Sequence, residues 1–179
     1  MAAIVAVVLL NQGLPGIQSS APPWPPETSH LLQRMQADGL APLPAEGTVQ
    51  HTHQHLDIYL DGQPVQVPAN IGINRAQGFL SAIHTHDTSG IIHVESPTAG
   101  NFALGQFFDV WGVRFDAHCL GGSCDSGDRT LRIYVNGKPF TGDPRLIVLE
   151  AHQEIVVAFG TAAELPSPIP SSYIFPAGL

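Results

Sequence analysis

Two stretches of ten residues, Leu56–Val65 (LDIYLDGQPV) and Leu131–Phe140 (LRIYVNGKPF), share five positions and the same plan. In each, an alternating apolar segment runs into Asp-Gly or Asn-Gly and then into a short second segment. A two-residue turn of this kind needs positive φ at both central residues and folds its flanks back as an antiparallel pair, which is the strongest short-range hairpin signal. Two such hairpins bracket the domain, whether by duplication or by independent use of one recipe, and they suit a β-rich fold better than a helical bundle. With 179 residues and 19.0 kDa there is material for one well-packed domain. The 18 Gly and 16 Pro supply turns while 44% hydrophobic residues supply a core, as a turn-rich β domain requires.

Between the hairpins lie a His-rich hairpin, residues 81–96, and a helix over 104–111 whose apolar positions 104, 107, 108 and 111 follow the helical period. Phe107, Phe108 and Trp111 read as core. Residues 147–149 and 154–159 supply the last strands. The fold class expected is mainly β (α+β): an antiparallel β-sandwich or barrel-like domain with one packed helix, over residues 47–161. Residues 1–10, MAAIVAVVLL, read as the remnant of an export signal or membrane anchor, since a full span takes about 20 apolar residues. Residues 11–27, rich in Gly, Ser and Pro, read as a tether that packs nothing. Residues 28–39 read as a short helix capped by Thr28 or Ser29 and stopped at Gly39, and residues 162–179 as an extended Pro-rich tail.

Six of the nine histidines fall between His51 and Glu95. In HTHQHLDIYL, a strand puts His51, His53, His55, Asp57 and Tyr59 on one face and Leu56, Ile58 and Leu60 on the other. Strand neighbours two apart are separated by roughly 6.6 Å at Cα, close enough to share one ion. His53 and His55, deeper in the strand, are the pair expected to do so. In the second segment, residues 83–95, a tight turn over 87–90 sets His84 opposite His93 and places His84, His86, His93 and Glu95 on one face. Two His-x-His units and a His-x-Glu, all in strand phase, point to one transition-metal ion held by His53, His55, His84, His86 and His93. His51, Asp57, Asp87 and Tyr59 are candidates for orienting those ligands, and Asp87 has a competing role in its turn. Imidazole-rich sites favour copper slightly over zinc.

Cys119 and Cys124, the only cysteines, are expected to close a small disulfide ring, the alternative being a thiolate site with His118. Seven Lys+Arg against fifteen Asp+Glu give a net charge of −8, which excludes the basic stripe that nucleic-acid binding needs. No nucleophile elbow or phosphate-binding loop occurs.

The blocks HTHQHLDIYLDG, VPANIGI, HTHDTSGIIHVESP, LGQFFDVWGV, LRIYVNGK and AHQEIVVAFG, in this order, resemble a family of exported bacterial His-rich proteins over roughly residues 31–179. The resemblance implies an extracytoplasmic setting, secreted or tethered to the outer face of the cytoplasmic membrane, and carries over no catalytic residue. The family's usual basic start is missing here, in keeping with a truncated beginning. The sequence therefore reads as an extracytoplasmic copper- or zinc-binding protein that meets a membrane only through its N-terminal anchor and names no protein partner. The rival reading is a hydrolytic or oxidative metalloenzyme with three His ligands, an open coordination position and Glu95 as general base.

Overall fold

One long strand organises the computed structural model, which describes residues 13–179; the apolar start, residues 1–10, lies outside the described residues. That strand, β1 (Gln50–Leu60), buries Leu56, Ile58 and Leu60 on the face where alternation puts them. It is followed by β2 (Gln63–Val65), β3 (Ile73–Asn74), β4 (Phe79–Leu80), β5 (Ile83–His84) and β6 (Ile91–Ser96). Later come β7 (Cys119–Leu120), β8 (Ser123–Cys124), β9 (Thr130–Val135), β10 (Lys138–Pro139) and β11 (Glu154–Gly160). Seven strands form one sheet in the order β10-β9-β11-β1-β6-β5, with β2 also on β1, while β3/β4 and β7/β8 are separate two-stranded ladders.

Among the described residues the fold is thus mainly β with two α-helices, and its strand pairings are mostly antiparallel. One is parallel, β1 against β11, so the sheet is mixed, and it does not close into a barrel. β1 changes partners along its length. Residues 50–55 pair with β6, residues 55–60 with β11, and residues 58–60 with β2. Both repeated hairpins turn as their sequences dictate, with φ of 51° and 77° at Asp61 and Gly62 and of 51° and 75° at Asn136 and Gly137.

The apolar sheet face packs on α2 (Leu104–Trp111), whose Leu104, Phe107, Phe108 and Trp111 are fully buried, and on α1 (Leu31–Ala37). α2 stops at Gly112, which adopts the left-handed conformation (φ 80°) that glycine accommodates without strain. Neither Thr28 nor Ser29 caps α1 through its side chain. The Glu27 carboxylate accepts the Ser29 and His30 N–H groups instead, at 3.0 and 3.1 Å.

Residues 13–27 pack rather than tether. Trp24 is buried edge-on against Trp111, with ring centroids 5.9 Å apart, and Trp111 Nε1–H donates to Trp24 O at 3.0 Å. Fully buried Arg34 ties this segment to α2, donating to Asp109 O at 2.6 Å and Pro15 O at 3.0 Å and pairing with Glu27. A Pro-rich run has no ladder of its own, yet one tryptophan gives it enough apolar surface to join the core. The C-terminal segment, residues 165–179, carries no strand or helix, but Tyr173 and Phe175 lie against His55 and His152. Residues 147–149 form no strand; Val148 makes a single bridge to Ala103. Cys119 and Cys124, cross-strand partners in β7 and β8, form the expected disulfide.

Candidate metal centre

Register builds the site. His84 in β5 faces His93 in β6, and His93 faces His53 in β1, so three imidazoles form a row across three adjacent strands. One pair further on, His51 faces Glu95. The pairing of His84 with His93 is the one set by the turn at 87–90, where Asp87 Oδ1 accepts the Ser89 N–H at 2.8 Å. Asp87 thus serves its turn, and His86 follows His84 towards the same face.

The ring nitrogens converge in two pairs. His84 Nε2 and His86 Nε2 are 3.2 Å apart, as are His51 Nε2 and His53 Nε2. Glu95 lies between the pairs, with Oε1 at 3.1 Å from His51 Nε2 and Oε2 at 3.6 Å from His84 Nε2. Glu46, from the segment before β1, brings Oε1 to 3.5 Å from His86 Nε2. Two groupings result, Glu46–His84–His86–Glu95 and His51–His53–Glu95, each with donor atoms within 4.8 Å of one another. These partly buried His/Glu groupings could hold a metal ion. Around a tetrahedral ion with arms of about 2.0–2.1 Å, adjacent donors lie about 3.3–3.4 Å apart, close to the 3.1–3.6 Å of these contacts.

The donors are held in a form that can coordinate. His84 Nδ1–H donates to Ser81 O at 3.0 Å, so in the neutral ring the lone pair is on Nε2, facing His86 and Glu95. Burial, followed by the charge of His86, pulls the His84 imidazolium down to about 4. Burial, followed by the charges of His86, His53 and His84, pulls His93 down to about 3, and burial followed by His51 lowers His53. For Glu95, burial and the nearby Glu46 carboxylate raise the carboxyl above its usual range. Its Oε2 is buried with no hydrogen-bond partner, a costly arrangement unless something positive meets it.

No protein-family model, curated protein or solved structure matches the chain. What this centre can do is therefore argued from its donors alone.

The remaining residues named from the sequence divide. His93 sits between the two pairs, its ring edge-on to those of His53 and His86 at 4.7 and 4.4 Å, and its Nδ1–H donates to Glu95 Oε1 at 3.2 Å. It orients Glu95. His55 leaves the cluster altogether. Where β1 hands over from β6 to β11, His55 pairs with Glu154, and its Nδ1 lies 2.9 Å from Glu154 Oε2 while Nε2 lies 2.9 Å from Ser89 O. Both nitrogens face oxygens, an arrangement that an imidazolium satisfies when Glu154 is ionised. Burial opposes that charge, but Glu154 outweighs it and holds the His55 pKa up. Tyr173 stacks on the ring at 3.8 Å. His53 is thus paired with exposed His51 and not with His55, against the expectation that depth in the strand selects the pair. Asp57 groups with His55 and Glu154, and Tyr59 continues that face beside them, its hydroxyl pKa raised by burial and then by the charges of Asp57 and Glu154. Neither touches the two His pairs.

Glu46 is the donor that sequence reasoning misses. It lies in an irregular segment with no period to place it. The available signal is the glycine beside it: Gly47 N–H donates to Glu95 O at 3.3 Å, which lays residue 46 over the His face.

Proposed function

We propose that the chain is an extracytoplasmic transition-metal-binding protein, with an ion held by His84, His86, Glu95 and Glu46. The observation that carries this reading is the 3.2 Å approach of His84 Nε2 to His86 Nε2, with the His84 lone pair fixed by Ser81. Two imidazoles and two carboxylates make an N2O2 set, which suits copper in a tetragonal geometry and zinc in a tetrahedral one. Copper is favoured because it binds such donors more tightly in the Irving–Williams order. The disulfide supports an oxidising compartment, as does the resemblance of the His blocks to exported proteins.

Metal analysis of the full chain, purified without a His tag and dialysed against Cu(II) or Zn(II), tests it. At least one tightly held ion per chain is expected, and its loss in His84→Ala/His86→Ala. Unchanged metal content in that double variant overturns the assignment.

A metal-dependent hydrolytic or oxidative enzyme is the second reading. What favours it is the solvent side of the centre, where His51 and His86 are 51% and 40% exposed, leaving room for an exchangeable ligand. Glu95 lies among the donors themselves, which favours a ligand role over that of general base. In that case azide shifts the visible spectrum of the Cu(II) form; an unresponsive spectrum counts against it.

A further inference from the structure

Glu95 belongs to both groupings at once. Its side chain is 5% exposed and its two oxygens point in different directions, Oε1 to His51 at 3.1 Å and Oε2 to His84 at 3.6 Å. The two His pairs that flank it have identical Nε2 separations, 3.2 Å. Each pair with one Glu95 oxygen gives three donors, two nitrogens and an oxygen, set at the spacing that adjacent ligands take round an ion. A single ion cannot use both sets, because His53 and His84 stand on strands separated by β6 and the ring of His93 lies between them.

We infer that the centre is dinuclear, with Glu95 bridging two transition-metal ions through its two carboxylate oxygens. One ion takes His84, His86, Glu46 and Glu95 Oε2; the other takes His51, His53 and Glu95 Oε1. This rests on the metal-binding reading above and adds to it the count of ions and the role of Glu95. Three features fit this arrangement together. Glu95 Oε2, buried and without a hydrogen bond, gains a cation. Two carboxylates, Glu46 and Glu95, face each other and are offset by positive charge between them. His93, whose Nδ1–H holds Glu95 Oε1, serves as the support that fixes the bridge, in the way that outer hydrogen bonds orient metal ligands. The two ions are inequivalent. The first has four protein donors, whereas the second has three, so that the position left open for solvent or a small molecule is on the second. Paired ions in bridged sites lie about 3.5–4 Å apart and act on one bound group together.

Cu(II) titration of the full chain, with metal counted by elemental analysis and spins by electron paramagnetic resonance, tests the inference. Two ions per chain are expected, with a half-field transition and dipolar broadening that report their proximity. His51→Ala/His53→Ala and His84→Ala/His86→Ala should each retain one ion with the spectrum of isolated Cu(II). Glu95→Gln keeps the shape of the side chain and should weaken both ions by more than the roughly 10–100-fold that removal of a residue merely supporting a ligand costs; Glu95→Ala, checked for folding by circular dichroism, should do the same. One ion in the wild-type chain overturns the dinuclear centre and leaves metal binding standing. No ion overturns both. Two ions with isolated spectra, or a Glu95 variant that weakens only one, overturns the bridge.

Discussion

At Gly47, a single hydrogen in place of a side chain lets the His/Glu cluster close. A Cβ there would lie 2.0 Å from Ser96 C and 2.2 Å from Pro97 N, inside any allowed contact with backbone that cannot move aside. Gly47→Ala is expected to lower stability by about 1–3 kcal/mol, the usual cost of forcing atoms into packed structure, and to withdraw Glu46 from His86; urea denaturation and metal affinity check the two effects. Asp38 makes the clearest pH statement. Burial, and then the charge of Asp109, raises its carboxyl to about 8, and its Oδ2 has no hydrogen-bond partner. The folded chain therefore keeps a proton that the unfolded chain, with a pKa of about 3.9, releases. That contribution is fully present below about pH 4 and is lost as pH rises through about 8. Asp38→Asn imitates the protonated form, so its stability relative to wild type should improve from pH 5 to pH 8. A flat difference between the two pH values would contradict it. The His-x-His alternation is legible at this scale because strand phase is a local property. The fate of His55 is not, because it depends on Glu154, 99 residues away.

Elements differ in how loudly they announce themselves. The two Asp-Gly and Asn-Gly hairpins, the helix at 104–111 and the 84–93 pairing are all written in turn residues and period. The parallel pairing of β1 with β11 has no local signature, since nothing near either strand encodes a partner so far along the chain. Composition misleads at residues 13–27: Pro and Gly report the lack of a hydrogen-bonded ladder, not a lack of packing. Trp24→Ala discriminates the two. A buried tryptophan truncated to alanine costs about 3–5 kcal/mol, whereas the same change in a free tether would cost almost nothing; thermal or urea unfolding reads the difference. The donor from the irregular segment, Glu46, belongs to the same class of surprise, because loop residues reach a site through one backbone contact and not through a period.

For the whole molecule, the sheet separates two duties. The face of Leu56, Ile58, Ile92, Val94 and Val157 holds the core with α1 and α2, and the opposite side of β5, β6 and β1 carries the imidazoles. Among the described residues no helix is long and apolar enough to cross a membrane. β1 serves both ends of the sheet, its first half against β6 and its second against β11, and residue 55 is the handover. The parallel ladder thereby acts as a register pin for the histidine-bearing half of the strand. A slip of one residue exchanges the two faces of a strand, so a glycine inserted between Gln54 and His55 would leave residues 56–60 anchored on β11 while turning His51 and His53 into the core. Such a chain should lose metal at that pair, whereas the same insertion at the Asp61-Gly62 turn should spare it. The fidelity of the histidine row is thus enforced from the far end of its strand, by a ladder that touches none of the row's own imidazoles.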